Sequence, residues 1–498
     1  LFARAHWPVI TQTSRHRPAK LAFHQPAPHI NGMIKTLFLP SLMAALLLAL
    51  PMPGAAQDLV PRSRAEISLS FAPVVKQTTP AVVNIYASRV VETRSSPFAD
   101  DPFFREFFRG FGATRPQVQN SLGSGVVLTG SGIVVSNYHV VAQADDIRVV
   151  LNDRREFSGR VLLADAEADL AIIQIEDAPA DMAHLNLRDS DDVEVGELVL
   201  AIGNPFGVGQ TVSSGIVSGL ARSGTATGEG RGYFIQTDAP INPGNSGGAL
   251  VDMEGNLIGV NTSILTRSGG SNGIGFAIPA ALVAQFVAQA EQGHAYFQRP
   301  WAGISGQEVD AAMAETLGLS VPGGVIIASL HRLSPFAEAG IEVGDVIRAV
   351  DGQAVNTPPE MIFRMSVAGL GAKARVSYYR DGKDRETTVS LIAAPEDPPR
   401  EPMVTGPDSP IPGVEVETVN PAVAAGQGLD TELRGALITD PGAIGGRVGL
   451  LRGDVVVAVN GIAVTDGASF EEVLKTARRQ LHIGLLRGGR QLTLRLRL

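Results

Sequence analysis

A serine within a glycine-rich turn is the first feature of this sequence that points to covalent chemistry. Ser246 stands in the run Gly244-Asn245-Ser246-Gly247-Gly248. A serine hydroxyl is a weak nucleophile by itself, so it needs a neighbouring base and donors for the oxyanion that develops during attack. Glycines let the chain turn sharply, which would allow the N–H groups of Gly244 and Ser246 to converge. An ordinary glycine-rich turn fits the same run, so the serine needs partners elsewhere.

A histidine and an aspartate are the candidate partners. His139 lies at the end of a strand-like run that starts at Val134, and Asp169 directly precedes the apolar run Leu170-Ala171-Ile172. Histidine can act as the base, and an acid can orient its ring. Each residue alone also fits a structural role, His139 at a strand end and Asp169 in a turn. The order along the chain is His, Asp, Ser, with spacings of 30 and 77 residues.

The elements that must position these residues are short and β-rich. The chain has 55 glycines and 32 prolines with Val/Ile-rich runs between them, a pattern typical of strands joined by tight turns. A helix is predicted near Ser68–Val75 and another over Pro279–Gln292, and the strands between them predict an all-β barrel or sandwich. The predicted strands are Ala81–Val91, Ser124–Thr129, Gly132–Ser136, Ile147–Leu151, Leu170–Ile175, Leu198–Ile202, Thr211–Leu220, Tyr233–Thr237, Gly248–Val251, Leu257–Thr262 and Gly275–Ile278.

Length, charge and composition limit the classes of protein. A chain of 498 residues is too long for one hydrophobic core and indicates about three domains. The formal net charge of −9 offers no basic surface, so nucleic acid is not an expected partner. The absence of cysteine excludes disulfides, thiolate nucleophiles and cysteine-based zinc sites. The sequence also lacks a P-loop or metal-binding motif, so we expect no cofactor or metal.

The N-terminus has the pattern of an export signal. Residues 1–32 contain no acidic residue and are interpreted as upstream or mis-annotated sequence. Residues 33–56 are predicted to be a signal peptide, with Lys35, the apolar run Leu37–Leu50, and small residues before Gln57. The apolar run is shorter than the roughly 20 residues that span a bilayer, which favours a cleaved signal over a retained anchor. Retention of this run would instead predict a membrane-anchored signalling protease.

An internal repeat organises the C-terminal part of the chain. The segment Gly344–Val355 recurs at Gly453–Val464, an offset of 109 residues, and each copy predicts a strand leading into an Asp-Gly or Asn-Gly hairpin turn. A glycine-led apolar strand precedes each copy, Gly324-Val325-Ile326 and Gly435-Ala436-Leu437. Between the copies, residues 396–411 are rich in proline and acids and are predicted to be a linker. The pattern predicts two tandem domains of one kind.

A phenylalanine-rich segment interrupts the predicted strands. The segment Ser95–Phe111 contains several phenylalanines within a few residues, which are costly to expose to water. It either folds back onto its own domain or buries its rings against another subunit, and composition does not separate these two interpretations.

The residues around the three candidates resemble those of the HtrA family (DegP/DegQ, Do-like) of periplasmic serine endoproteases. The similar segments are Asn137–Val141, Asp165–Ala171 and Gly244–Leu250, and the repeats resemble PDZ domains. The resemblance covers essentially the whole chain after the signal. It implies a mainly β protein with a chymotrypsin-like double β-barrel protease domain at 57–294. PDZ domains at 295–395 and 412–498 would follow, separated by the linker.

The resemblance also implies a role for each candidate. Ser246 would attack the scissile carbonyl, His139 would take and return the proton, and Asp169 would orient the imidazole. Backbone N–H groups of Gly244, Asn245 and Ser246 would form the oxyanion hole. A small apolar substrate pocket is assigned to Ile241, Ile264 and Leu265, whose alternative role is barrel core.

Regulation and assembly are implied in the same way. Arg222 matches an arginine of the family's sensor loop, and the family assembles as trimers and larger cages. The PDZ domains would add peptides as strands at Gly324-Val325-Ile326 and Gly435-Ala436-Leu437, holding the peptide's terminal carboxylate. The second PDZ domain is equally compatible with a purely architectural role.

The expected function is therefore ATP-independent degradation of unfolded or misfolded proteins in the bacterial periplasm, with a chaperone role in addition. The alternative is a peptide-binding chaperone or scaffold with little hydrolysis. Digestion assays with and without Ser246 distinguish the two.

Overall fold

The computed structural model describes residues 70–92, 116–142, 144–203, 209–223, 233–242, 244–264, 273–477 and 480–497. The predicted upstream segment and signal peptide (1–56) and the segment Ser95–Phe111 lie outside these residues, so both stay predictions. Within the described part of the chain, no helix is long and apolar enough to cross a membrane. The first described helix, α1 (Ala72–Thr78), begins later than predicted and continues into a 3₁₀ turn over Thr79–Ala81.

Six strands close into a first barrel in the order β1-β2-β3-β6-β5-β4. Every residue of β3 is buried, as are most of β6, which explains their Val/Ile-rich sequences. β5 was missed by the sequence analysis because its first half, residues 156–160, alternates between exposed and half-buried positions and has Phe157 as its one large apolar residue. The strands are β1 Val82–Glu92, β2 Pro116–Val127, β3 Ile133–Ser136, β4 Asp146–Val150, β5 Glu156–Asp165 and β6 Leu170–Ile175.

Six further strands close into a second barrel in the order β10-β11-β12-β9-β8-β7. A core cluster shared by the two barrels joins residues such as Val126 and Leu170 of the first to Leu200 and Ile202 of the second. The helix α3 (Ala280–Glu291) buries Phe286 in the same cluster. The strands are β7 Leu198–Gly203, β8 Thr211–Ser223, β9 Tyr233–Thr237, β10 Ala249–Val251, β11 Leu257–Ile264 and β12 Gly275–Pro279.

Two more sheets follow, and they share one topology. The first has the order β13-β14-β15-β17-β18, and the second has β20-β21-β22-β24-β25 with one additional strand, β19, beside β20. In the first the strands are β13 Ile304–Glu308, β14 Val325–Leu330, β15 Val346–Val350, β16 Gln353–Ala354, β17 Lys373–Arg380 and β18 Lys383–Ser390. In the second they are β19 Met403–Val404, β20 Glu415–Thr418, β21 Ala436–Asp440, β22 Val455–Val459, β23 Ile462–Ala463, β24 Gln480–Arg487 and β25 Arg490–Arg497.

Three helices accompany each of these sheets within the described residues. Those of the first are α4 Ala311–Leu317, α5 Pro335–Glu338 and α6 Pro358–Ala368, and those of the second are α7 Pro421–Gly426, α8 Gly442–Arg447 and α9 Gly467–Lys475. The predicted hairpin turns are present: Asp351 and Gly352 have φ of 50° and 81°, and Asn460 and Gly461 have 50° and 82°. Two residues in succession with positive φ are what a type I′ turn requires.

The sequence analysis assigned the wrong strands to peptide binding. β14, which carries Val325 and Ile326, pairs with β13 on one side and with β15 on the other. β21, which carries Ala436 and Leu437, is likewise enclosed between β20 and β22. A strand that is hydrogen-bonded along both edges cannot accept a third strand, so the assignments to Gly324-Val325-Ile326 and Gly435-Ala436-Leu437 are corrected. The neighbours of β14 and β21 on the side away from β15 and β22 are β13, which ends its sheet, and β20, which is followed by β19.

Candidate active site

His139 lies on a single helical turn, α2 (Tyr138–Val141), that follows β3. Val140 and Val141 are buried in the core of the first barrel and fix this turn. The imidazole points outward, and 51% of the His139 side chain is exposed. The buried valines therefore anchor the turn in the core, while the imidazole stays accessible to solvent.

Asp169 occupies the turn between β5 and β6. Because Ser136 pairs with Ala171, the end of β3 and the start of β6 bring the histidine turn and the aspartate turn together. Asp169 has φ of 52°, a left-handed conformation that aspartate tolerates better than most residues. Both carboxylate oxygens lie 2.9 Å from Nδ1 of His139, and Oδ1 also accepts the His139 backbone N–H at 3.0 Å. The carboxylate thus fixes both the ring and the backbone of the histidine.

Thr262 completes this arrangement, although the sequence analysis did not single it out. Its hydroxyl donates to Oδ2 of Asp169 at 2.6 Å, and the residue is 6% exposed. Its carbonyl accepts the hydroxyl of Ser246 at 3.0 Å. A threonine near the end of a predicted strand carries no motif, so only the pairing of β11 within the barrel reveals its role.

The turn that carries Ser246 is tied to the first barrel through Ser124 of β2. The Ser124 N–H donates to the carbonyl of Ser246 at 2.8 Å, and the Ser124 hydroxyl donates to the carbonyl of Gly244 at 2.7 Å. Gly247 has φ of 81°, and a Cβ there would lie 2.1 Å from the Ser124 carbonyl oxygen. Only glycine fits at this position, which explains its place in the motif.

The three predicted catalytic side chains therefore meet around Thr262. His139 and Asp169 are hydrogen-bonded directly, and Ser246 is joined to them through the two polar groups of Thr262. In this conformation the Ser246 hydroxyl donates to the Thr262 carbonyl, and among the described residues it makes no hydrogen bond to His139. The hydroxyl must rotate from the carbonyl to the imidazole before the ring can accept its proton. Catalytic hydrogen bonds of this kind are often incomplete before substrate binds.

Two of the three predicted oxyanion donors remain available. The Asn245 N–H donates to the carbonyl of Asn242 at 2.9 Å, so in this conformation it is not free to bind an oxyanion. The N–H groups of Gly244 and Ser246 donate to no atom of the described residues. This corrects the prediction for Asn245 and leaves Gly244 and Ser246 as the candidates.

The remaining predicted residues are only partly described. Ile241 is 1% exposed and packs in the core of the second barrel rather than at an open surface. The backbone of Ile264 pairs with Gly275, while its side chain and the whole of Leu265 lie outside the described residues. The backbone of Arg222 pairs with Phe234, and its side chain is also outside them. The pocket and sensor-loop assignments therefore stay predictions.

A cavity of about 480 Å³ lies beside β13, the edge of the third sheet. Its walls include Trp301 and Ile304 on the strand side, Phe363 of α6 on the other, and Ala425 and Leu429 of the C-terminal domain. No described strand pairs with the outer edge of β13. A groove between an open sheet edge and a helix can accept an extended peptide as an additional strand.

This groove is packed directly against the barrels. The ring of Tyr233 in β9 stacks on Phe363 of α6 with centroids 3.9 Å apart, and Arg364 donates to the Tyr233 hydroxyl at 2.9 Å. Burial raises the pKa of Tyr233, and the positive charge of Arg364 opposes this shift only in part. The wall of the groove is therefore continuous with the barrel that carries Ser246.

A second contact joins the segment before β13 to the aspartate turn. Arg299 donates to both carboxylate oxygens of Asp165, at 2.7 and 2.9 Å. Asp165 in turn accepts the N–H of Ala168, the residue before Asp169, at 2.7 Å. Burial lowers the pKa of Arg299, but the hydrogen bonds and charge of Asp165 together with the charge of Glu167 outweigh it, so the pKa is raised. This bidentate pair anchors the segment before β13 close to the Asp169 carboxylate.

Comparison with known proteins agrees with this geometry. A family described as "Trypsin-like peptidase domain" matches residues 123–260, and one described as "PDZ domain" matches residues 300–391. The chain is 36% identical over 430 residues to the "Periplasmic pH-dependent serine endoprotease DegQ" of Escherichia coli, covering 86% of this chain and 91% of that one. It is 33% identical over 478 residues to the "Periplasmic serine endoprotease DegP" of the same organism, covering 91% and 97%.

A solved structure entitled "HtrA-type protease AlgW with tripeptide" is 36% identical and has a TM-score of 0.50. The matched region covers 66% of this chain and 98% of the chain in that structure. Identity at this level over most of the length of both DegQ and DegP, together with the two barrels and the repeated PDZ sheets, places the chain in a family. The chain belongs to the DegP/DegQ family of trypsin-like serine endoproteases with PDZ domains.

Proposed function

We propose that this protein cleaves unfolded or misfolded proteins in the bacterial periplasm, using Ser246 as the nucleophile. The observation that carries the proposal is the hydrogen-bonded set formed by His139, Asp169, Thr262 and Ser246. An imidazole held by a carboxylate beside a serine in a glycine turn is the arrangement that acyl transfer requires. The names of DegQ and DegP support the periplasmic location.

The proposed reaction begins when the Ser246 hydroxyl turns toward His139. Its oxygen attacks the scissile carbonyl while Nε2 of His139 takes the proton, and Asp169 stabilises the imidazolium at Nδ1. The negative charge on the substrate oxygen is bound by the N–H groups of Gly244 and Ser246, each worth roughly 10²–10³ in rate. His139 then returns the proton to the leaving amine, and water releases the acyl group by the same steps in reverse.

Substrate choice is proposed to depend on whether the substrate protein is unfolded rather than on a sequence motif in it. Extended chains can enter an open active site, whereas native folds hide their apolar segments. The cavity beside β13 is proposed to take peptide ends as an added strand, in place of the strands that the sequence analysis named. Trp301 lines this cavity and is almost fully buried, so binding of a peptide there should change its fluorescence.

Assembly into homotrimers or larger oligomers is a further part of the proposal. It rests on the phenylalanine-rich segment Ser95–Phe111 and on the family relationship. Sedimentation velocity of the mature protein, with and without unfolded casein, tests it, and a monomer under both conditions would reject it.

The activity is tested by digestion of casein and of reduced lysozyme with the wild-type protein and Ser246→Ala. Removal of the nucleophile should lower turnover by several orders of magnitude. Ser131→Ala is the matched control, because Ser131 is exposed and, among the described residues, its hydroxyl bonds only to that of Thr129. Equal turnover in Ser246→Ala would reject the assignment, and prevention of aggregation without turnover in the wild type would favour the chaperone alternative.

A further inference from the structure

The second PDZ domain differs from the first at the edge that a peptide would join. β20 stands where β13 stands, and the loop Ile411-Pro412-Gly413-Val414 precedes it as Trp301-Ala302-Gly303-Ile304 precedes and opens β13. The edge of β13 carries no described strand, whereas the edge of β20 is covered by β19, a piece of the chain's own interdomain segment. The segment predicted to be a plain linker is therefore partly structured.

The direction of β19 is that of a bound C-terminal peptide. Met403 pairs with Val416 and Val404 with Glu415 in an antiparallel register, so β19 runs toward the loop that precedes β20. A peptide added to a sheet edge in this direction places its last residue against the loop amides, which can hold a carboxylate. Thr405 is the residue that reaches this point.

Thr405 makes the contacts expected of a peptide's terminal residue. Its N–H donates to the Val414 carbonyl at 2.9 Å. Its carbonyl oxygen accepts the Gly413 N–H at 3.0 Å, and its hydroxyl accepts the Val414 N–H at 2.9 Å. These two oxygens therefore satisfy the loop amides that would otherwise be available to two carboxylate oxygens.

The side chains alternate as they would in a ligand strand. Thr405 is buried, Val404 is 57% exposed, and Met403 is half-buried against the core of the domain. The sulfur of Met403 lies beside Gly467, the first residue of α9, where a Cβ would be only 3.0 Å away. Met403 thus fills the space between β20 and α9 that corresponds to the groove between β13 and α6.

The other end of the segment is also held. The Thr418 N–H donates to the carbonyl of Arg400 at 2.6 Å. The Arg400 guanidinium binds Glu396 at 2.6–2.9 Å, and Glu396 also accepts from Asn420 at 2.7 Å. The bonds from Arg400 hold the pKa of Glu396 below its usual value, so this carboxylate is charged at neutral pH.

We propose that residues 400–405 are an internal ligand of the second PDZ domain, which is therefore closed to free C-terminal peptides. A ligand tethered within one chain acts at an effective concentration of the order of millimolar. An external peptide must displace it, which should weaken peptide binding to the second domain at least about tenfold. The inference concerns binding and does not depend on hydrolysis by Ser246.

The position of the segment is tested by a pair of engineered cysteines in the full chain, which has none of its own. Met403→Cys with Gly467→Cys should form a disulfide on mild oxidation, detected by intact mass. Val404→Cys with Gly467→Cys is the matched control and should not, because residue 404 faces outward. Absence of the first disulfide would overturn the proposal, as would equal cross-linking of the two pairs.

Closure is tested by calorimetric titration with a synthetic peptide of the sequence of residues 400–405, ending in a free carboxylate. Met403→Glu with Thr405→Gly should expose one additional binding site per chain relative to the wild type, while Val404→Glu should not. The added site should disappear again with Gly467→Leu, which fills the groove. An unchanged number of sites in a variant that still melts cooperatively would overturn the proposal. Should the double variant fail to fold, the cysteine pair decides.

Discussion

Thr262→Val is the substitution that tests the site most directly. Valine keeps the shape of threonine and removes only the hydroxyl, which lies 2.6 Å from Oδ2 of Asp169 at a buried position. A hydrogen bond to a charged group is worth about 1.5–3 kcal/mol. Each 1.4 kcal/mol corresponds to about a tenfold change in rate. If the bond is fully used in orienting the carboxylate, kcat/KM should fall about 10- to 100-fold.

The assay is the initial rate of hydrolysis of reduced casein by the full-length protein. Because the hydroxyl of Thr262 does not project toward a substrate, the loss should appear in kcat and leave KM nearly unchanged. Thr262→Ser keeps the hydroxyl and loses the methyl group, so it should retain most of the activity. Thermal melts of both variants separate a change in orientation from a change in stability.

Two results would refute this reasoning. Full activity in Thr262→Val with an unchanged melting midpoint would show that Asp169 is oriented without the hydroxyl. An equal loss in Thr262→Ser would assign the effect to packing of the methyl group instead.

Two further predictions follow from the geometry. Gly247→Ala should abolish hydrolysis of casein, because its Cβ would lie 2.1 Å from the Ser124 carbonyl oxygen. Gly196→Ala is the control and should stay active. Gly196 also has a positive φ (101°), but a Cβ there would have no atom within 4 Å. Asp466→Ala should destabilise the second PDZ domain by about 1 kcal/mol at pH 7, because Asp466 caps α9. The backbone N–H of Ser469 holds the Asp466 pKa below its usual value, so this stability is present above pH ~4 and lost as pH falls through the folded pKa. Thermal melts between pH 7 and pH 3 should show the difference between Asp466→Ala and wild type shrinking.

The three candidate catalytic side chains could be singled out from the sequence because their chemistry is rare and local. Ser246 is marked by its glycines, and His139 and Asp169 each adjoin an apolar run that forms a strand. Thr262 could not be found in this way, because its role depends on the pairing of β11 and not on its neighbours in the chain. Motif similarity proposed the catalytic groups but did not determine which backbone amides are already bonded, as Asn245 shows.

The prediction of the peptide-binding strands in the PDZ domains was wrong for a related reason. An apolar strand that begins with glycine is compatible with either an edge or an interior position, and only the sheet order separates the two. The strand β19 was not predicted, because the prolines and acidic residues around Met403 give this segment the composition of a linker. Long-range pairing is the information that composition and periodicity lack.

The bonds that Ser124 makes across the two barrels determine when a newly made chain can become active. The imidazole and the carboxylate belong to one barrel and the hydroxyl belongs to the other, so neither half is a peptidase. A newly made or partly unfolded copy cannot cleave other copies until its two barrels have packed together. Peptidase activity therefore requires that both barrels have folded and packed against each other.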